Sequence, residues 1–458
     1  MRLIRSADWR ASVTSEPTPR KPTKLPLMLA AFFGLLMVGI PVATTLAVVG
    51  FVFGWIGFGD GLFKLLPARF YGIVAGYQWM AIPLFVFMGV MLEKSRLADD
   101  LLDVMGLVAG GVRGGMGVGI ILFGVLMGAT TGIVGATVIT LGLLTLPTLI
   151  RRGYDKGIAC GAICASGTLG QIIPPSLILI LLSDIMQLSV GTLFAAAVMP
   201  GLLLAGLYII YLLVHGWMNP ELMPAIPLEE RLKVSRRELM TRFWKVVVPP
   251  VLLVLCVLGA IVGGVAAPTE AASMGAVGSV LITLGARRLS FKVLKDVALE
   301  TSKITAIMML ILLAAQVFAL AFRGLQGEEL ITKMFDLIPG GVNSDIWFMM
   351  LLIFVLGFFI EWIEISYIAV PLFMPVLIKQ GVDPVWLAML ITVNLQSSFL
   401  TPPFGWSLFY LKGVAPPEVT IRDIYRGVVP FIALQAVALF LVFIFPEIAL
   451  WLPKVIGW

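Results

Sequence analysis

Residues 168–177 read TLGQIIPPSL, and residues 398–404 read SFLTPPF. Each places two adjacent prolines, Pro174-Pro175 and Pro402-Pro403, inside a run of apolar and small residues. Paired prolines remove two backbone donors and clash with the preceding turn, so a helix through either run must break there. The freed carbonyls need new partners wherever water is absent. A small hard cation such as Na⁺ is one such partner, since it takes several oxygens and asks for no formal charge from the chain. The carbonyls of Gly170, Ile173 and Pro175, with the hydroxyls of Thr130 and Thr131, make one candidate cation site, and Ser398, Thr401 and Pro403 make a second. Amides at the helix starts beyond such breaks suit an anion. The competing interpretation is a proline kink that only shapes packing. Recurrence of the break in both halves of the chain favours the ion sites.

Polar side chains gather around both breaks: Ser166, Thr168, Gln171 and Ser176 at the first, Asn394, Gln396, Ser397 and Ser398 at the second. Helical hydroxyls commonly bond a carbonyl four residues back. The amides of Gln171, Asn394 and Gln396 are costly in hydrocarbon without a partner. Ser166, Thr168, Gln171, Asn394 and Gln396, together with Glu361 and Glu364 of FFIEWIEIS (358–366), form the candidate substrate-binding set. A carboxylate within the membrane marks function by default. The alternative is a tip that reaches water, with both acids as solvated caps. Asp184 is expected at a helix end near the outer surface. Glu270, in APTEAASMG, reads as part of a helix N-terminus.

Other chemistry is poorly supplied. His215 is the only histidine, and Cys160, Cys164 and Cys256 have neither disulfide spacing nor metal-ligand neighbours. The run GGVRGGMGVG (110–119) lacks the lysine and the preceding strand of a phosphate loop, and reads instead as a flexible joint before a hairpin. No nucleophile sits with a base, so an enzyme is a poor fit. Nothing binds ATP, which leaves an ion gradient as the energy source.

The elements that must hold these groups are membrane helices. The 458 residues are 60% hydrophobic and only 13% charged, with a mean hydropathy of +1.04. Soluble domains carry about 25% charged residues, so the chain is an all-α polytopic membrane protein, and the short alternating segments of a β-barrel are missing. Spans are predicted near 27–58 (broken at Pro41), 70–92, 121–150, 156–187, 192–215, 247–266, 268–286, 303–322, 346–378, 384–411 and 425–450. Segments 121–150 and 346–378 are about 30 residues long with disrupted centres, which predicts re-entrant hairpins. Segments 156–187 and 384–411 are the broken helices. An interfacial helix is expected at about 97–109.

PTLIRRGYD (147–155) and PVLIKQGVD (375–383) match, as do the two proline pairs, at one offset (375 − 147 = 228; 402 − 174 = 228). The chain therefore reads as a duplication: scaffold segments and repeat 1 in 25–215, a cytoplasmic linker at 216–246, and further scaffold with repeat 2 in 247–458. Residues 1–24 are expected to be a disordered basic arm rather than a signal peptide. Arg151, Arg152 and Lys156 after the first hairpin, the linker, and Arg287, Arg288, Lys292, Lys295 and Lys303 place those loops inside. The net charge of +6 is a topology signal rather than a nucleic-acid patch. Counting spans puts the second copy the other way up, an inverted repeat.

At this point GTLGQIIPPS (167–176), PTEAASMGA (268–276) and TPP (401–403), in that order, resemble the large membrane subunit of TRAP transporters, the tripartite ATP-independent periplasmic type. The resemblance runs from about residue 27 to the C-terminus. It implies an inverted-repeat, elevator-type fold with two re-entrant hairpins and two broken helices, in a bacterial inner membrane. It further implies Na⁺-coupled uptake of an organic acid, no cofactor beyond the coupling ion, a small four-helix membrane subunit and a periplasmic substrate-binding protein. The sequence departs from many members at the second tip, where Glu361-Trp362-Ile363-Glu364-Ile365 replaces a Pro-Thr-Ala-Ala type tip. It is there similar to a branch labelled for mannitol or chloroaromatic compounds, and the substrate stays open. The first tip, Thr130-Thr131-Gly132-Ile133, is poorer in serine than usual, so its site leans on carbonyls. A stand-alone ion-coupled anion carrier of the same superfamily is the alternative; a channel or an embedded enzyme fits less well.

Overall fold

The computed structural model describes residues 24–95, 97–132, 134–227 and 234–458. The expected basic arm, apart from Lys24, lies outside these residues, as do Ile133, part of the linker, and the side chains of Thr130 and Thr131.

The described residues are helical, without strands. The first elements are α1 (Lys24–Met37), α2 (Val42–Phe58), α3 (Gly61–Val74), a 3-10 turn (Tyr77–Met80), α4 (Ala81–Lys94) and α5 (Leu97–Ala109). The first hairpin follows as α6 (Gly115–Thr131), α7 (Val134–Leu144) and α8 (Leu146–Arg151). The first broken helix is α9 (Lys156–Leu169) and α10 (Leu177–Met186), and α11 (Val190–Met218) leads to the linker. Then come α12 (Arg236–Val246), α13 (Val248–Val262), α14 (Pro268–Gly285), α15 (Phe291–Gly324) and α16 (Gly327–Asp336). The second hairpin is α17 (Val342–Leu356) and α18 (Trp362–Lys379), the second broken helix α19 (Pro384–Leu400) and α20 (Trp406–Val414), followed by α21 (Ile421–Ile444) and α22 (Glu447–Val455). Six helical stretches are long and apolar enough to cross a bilayer.

Several predicted spans change shape. Residues 27–58 are two helices, separated just before Pro41. The 70–92 span is the end of α3, a 3-10 turn and α4, and 303–322 is the last part of the 34-residue α15. The glycine run is a fixed corner rather than a flexible joint. Gly114 takes a left-handed conformation (φ +80°) that caps α6, and its amide donates to the Met223 carbonyl at 3.2 Å. Only glycine adopts that conformation at no steric cost.

The duplication is visible in the backbone. Asp155 caps α9 by accepting the Ile158 amide at 3.0 Å, and Asp383 caps α19 by accepting the Trp386 amide at 2.9 Å. Both proline pairs are joined by cis peptide bonds. Helix α21 shows that the copies are antiparallel. Its first turns meet the start of α9, where Gly157 and Gly427 touch backbone to backbone and Lys156 donates to the Glu418 carbonyl at 2.8 Å. Its last turn meets the start of α19, where the Trp386 indole donates to the Val442 carbonyl at 2.8 Å. At about 1.5 Å per residue these contacts lie near opposite ends of a 24-residue helix. The broken helices therefore enter from opposite faces. Small residues at such crossings let membrane helices approach where apolar lipid gives no hydrophobic drive.

Outside this unit, α2 packs on α15 with Gly50 against the backbone of Val317 and Phe318, and α4 packs on α14. Arg288 pairs with Asp100 at 2.7 Å and donates to the Ser95 carbonyl at 3.3 Å, fixing α5 to the turn before α15. Glu270 accepts the Ala267 amide at 2.9 Å, the N-terminal role expected of it.

Candidate functional site

The first break is the non-helical stretch between Leu169 and Leu177. The amides of Ile172 and Ile173 turn back to Leu169, the Gln171 amide to Thr168, and the Ser176 hydroxyl donates to the Gln171 carbonyl at 2.5 Å. Among the described residues no amide or hydroxyl bonds the carbonyls of Gly170, Ile173 or Pro175. The break is pressed against the first hairpin. Gly128 faces Gly170 so closely that a Cβ on either would collide with the other's backbone, and Gly124 faces Ser166 in the same way. Ser166 donates to the Ile120 carbonyl at 2.8 Å. The tip glycine, Gly132, is left-handed (φ +62°) and rests on Leu177 at the start of α10. The turn between α6 and α7 and the break in α9–α10 thus meet at one level.

The second copy repeats the plan with different chemistry. Gly357, at the end of α17, faces Ser398 as Gly128 faces Gly170, and Asn394 donates to the Met350 carbonyl at 2.7 Å as Ser166 does to Ile120. Here the oxygens are engaged. Thr401 donates to the Ser397 carbonyl at 2.6 Å, and Ser398 to the Leu395 carbonyl at 2.8 Å. The Thr401 carbonyl accepts the Gly405 amide at 3.0 Å, and the Pro403 carbonyl accepts the Tyr425 hydroxyl at 3.1 Å. The first break therefore presents three open carbonyls, while the Pro403 carbonyl of the second already accepts a hydrogen bond.

Thr168 bonds the Ala165 carbonyl at 2.9 Å and accepts from Gln435 of α21 at 3.4 Å, a partner 267 residues away that no local pattern announces. Gln171 and Gln396 are buried, and neither end of either side-chain amide has a hydrogen-bond partner. They are the costliest uncharged polar groups around the breaks.

A cavity of about 400 Å³ opens beside the two tips. One wall is the first tip (Gly132, Val134, Gly135, Ala136) and the second tip (Glu361, Trp362, Ile363), with Phe399 and Tyr410. The opposite wall is α4 (Val90, Glu93, Lys94) and α15 (Glu300, Ile304, Met308). This wall lies next to the Arg288–Asp100 pair. Of the seven candidate substrate-binding residues, Glu361 lines the cavity. Tyr410 donates to its carboxylate at 3.5 Å. Glu364, one turn further, is only 5% exposed, and its Oε2 has no partner, so it is not a solvated cap. Ser166, Thr168 and Asn394 each hydrogen-bond to a neighbouring helix. Sequence reasoning missed Tyr410, Glu93, Lys94 and Glu300, which reach the cavity from three separate helices and carry no shared spacing.

The arrangement is a chamber between two walls, and among the described residues no nucleophile–base pair lines it. Comparisons with known proteins agree with that reading. The profile of the family described as "Tripartite ATP-independent periplasmic transporter, DctM component" matches residues 29–448. The C4-dicarboxylate TRAP transporter large permease protein DctM of Pseudomonas aeruginosa is 31% identical over 397 residues, covering 83% of this chain and 87% of its own. The ectoine TRAP transporter large permease protein TeaC of Halomonas elongata is 27% identical over 434 residues, covering 93% and 98%. The crystal structure of the Alcanivorax borkumensis YdaH transporter shares the fold, with a TM-score of 0.62 at 14% identity over 93% of this chain and 98% of that one. An all-helical, multi-pass inner-membrane protein built for transport rather than catalysis, this chain belongs to the DctM component family of tripartite ATP-independent periplasmic transporters.

Proposed function

We propose that the chain is the permease subunit of a Na⁺-coupled system that imports an organic acid. The observation that carries this reading is the pair of antiparallel breaks, each packed by glycine against a helix–turn–helix tip. The carbonyls of Gly170, Ile173 and Pro175, open among the described residues, supply oxygen for one Na⁺, with Thr130 and Thr131 lying in sequence between Gly128 and Gly132, which pack against that break. Ser398, Thr401 and Pro403 supply a second, weaker site, because Pro403 shares its oxygen with Tyr425. The hairpins are re-entrant. They move with the broken helices as one elevator-like body against a scaffold of α2, α4, α14 and α15. Na⁺ binding lowers the cost of closing the tips over substrate in the chamber beside Glu361 and Tyr410.

The named relatives carry C4-dicarboxylates and ectoine, and both ligands bear a carboxylate. The substrate reaches the chain from a periplasmic binding protein, and a small four-helix membrane subunit docks on the scaffold. Reconstituted uptake with all three subunits tests the reading. Accumulation that follows an inward Na⁺ gradient and stops when the binding protein is omitted is the expected result. Equal uptake in Na⁺-free medium removes the ion sites, and uptake by this subunit alone favours a stand-alone carrier.

A further inference from the structure

A second cavity, of about 350 Å³, lies at the other end of the same two walls. Helix α15 lines both. Glu300, Ile304 and Met308 face the chamber beside the tips, and Gln316, Ala319 and Arg323 face the outer one. These residues recur every three or four positions, so they form one face of a continuous helix. From Glu300 to Arg323 that face runs about 35 Å at 1.5 Å per residue. The outer cavity is completed by Arg69 of α3 on the scaffold and by Asp184, Gln187 and Tyr367 on the opposite wall.

The two ends differ in charge. The chamber beside the tips has Glu93, Glu300 and Glu361 against Lys94, a net acidic lining. The outer cavity has Arg69 and Arg323 against Asp184, a net basic one. Neither arginine enters an ion pair among the described residues. Gln187 donates to the Asp184 carbonyl at 2.5 Å, which holds that rim in shape. Tyr367 also lines the cavity, and its hydroxyl is itself buried, with no hydrogen-bond partner among the described residues. Two guanidinium groups around one small cavity match a carboxylate, which accepts from both.

We propose that this outer cavity is an anion-receiving site, in which Arg69 and Arg323 hold a carboxylate before it reaches the hairpin tips. A basic mouth concentrates an anion from outside at the start of this helix face. The site adds to the proposed function and depends on it only for the identity of the natural ligand.

The test reads the site without reading transport. Ala319→Cys is made in a Cys256→Ser background, where the remaining cysteines, Cys160 and Cys164, are buried. The full chain in phosphatidylcholine vesicles is labelled with anionic and with cationic methanethiosulfonate reagents. Leu337→Cys, at a position 82% exposed, serves as the reference. The anionic-to-cationic rate ratio at position 319 is expected to exceed the reference ratio about ten-fold, as charged clefts concentrate counter-ions by ten-fold or more. Arg69→Gln with Arg323→Gln brings the ratio back to the reference, and high salt does the same without any substitution. Millimolar succinate slows the anionic label more than equal chloride does. A ratio unmoved by the arginines and by salt overturns the proposal, as does chloride protecting as well as succinate. Added phosphatidylglycerol that abolishes the succinate effect identifies a lipid headgroup as the occupant and also overturns it. Loss of Na⁺-driven uptake with the labelling pattern intact leaves the site standing and removes only the permease reading.

Discussion

Gly128 and Gly170 meet with no room for a side chain between them, the first in a hairpin arm and the second at the break it covers. A methyl group on either glycine runs into the backbone of the other, and backbone has no rotamer to escape through. The contact places the open carbonyl of Gly170 at the level of the hairpin turn.

Gly170→Val is therefore expected to abolish uptake in the reconstituted system while the chain still inserts. Overpacking of this kind costs about 1–3 kcal/mol, which lowers the melting midpoint in detergent. Gly259→Val is the control, since that position has open space around it. Normal uptake by the Gly170 variant contradicts the packing argument.

Asn394 and Ser166 are matched braces between a broken helix and its hairpin. Asn394→Ala and Ser166→Ala each lose one buried hydrogen bond, worth about 1 kcal/mol. The effects should add in the double variant, because the braces sit in different copies. Thermal unfolding of the purified chain measures both. A double variant no less stable than either single one excludes independent braces.

The hydroxyl of Thr401 donates back to Ser397, which turns its own oxygen toward the second break. Thr401→Val keeps the shape and removes the oxygen. The Na⁺ concentration for half-maximal uptake is expected to rise about ten-fold, the equivalent of 1.4 kcal/mol. Thr401→Ser should restore it. Identical Na⁺ dependence in the valine variant takes Thr401 out of the site.

Glu361 is the one acid of the second tip that lines the chamber beside the tips. Glu361→Gln keeps the volume and loses a charged partner for Tyr410. The expected result is a change in KM of about ten-fold, as befits a charged hydrogen bond. Tyr410→Phe should move KM in the same direction by less. Glu364→Gln, buried behind, should alter stability more than KM. Equal KM values in all three variants place the substrate elsewhere.

The devices that stop and start helices were legible in the sequence, because local chemistry dictates them. Pro174-Pro175 and Pro402-Pro403 break their helices wherever they are placed. Asp155 and Asp383 announce the starts of α9 and α19 at one spacing. What escaped was contact between distant segments. Nothing near Thr168 predicts Gln435, and nothing near Glu361 predicts Tyr410. The corner at Gly114 was misjudged because a glycine-rich run suits both a loose joint and a tight one. The deciding contact, the Met223 carbonyl, lies beyond the next six helices.

Helix α21 is gripped near one end by the start of α9 and at the other by the start of α19. It works as a splint across a joint between mirror-placed halves. Prising one half loose levers against the fastening of the other, so neither rocks alone. A single cut in α21 would release both fastenings at once.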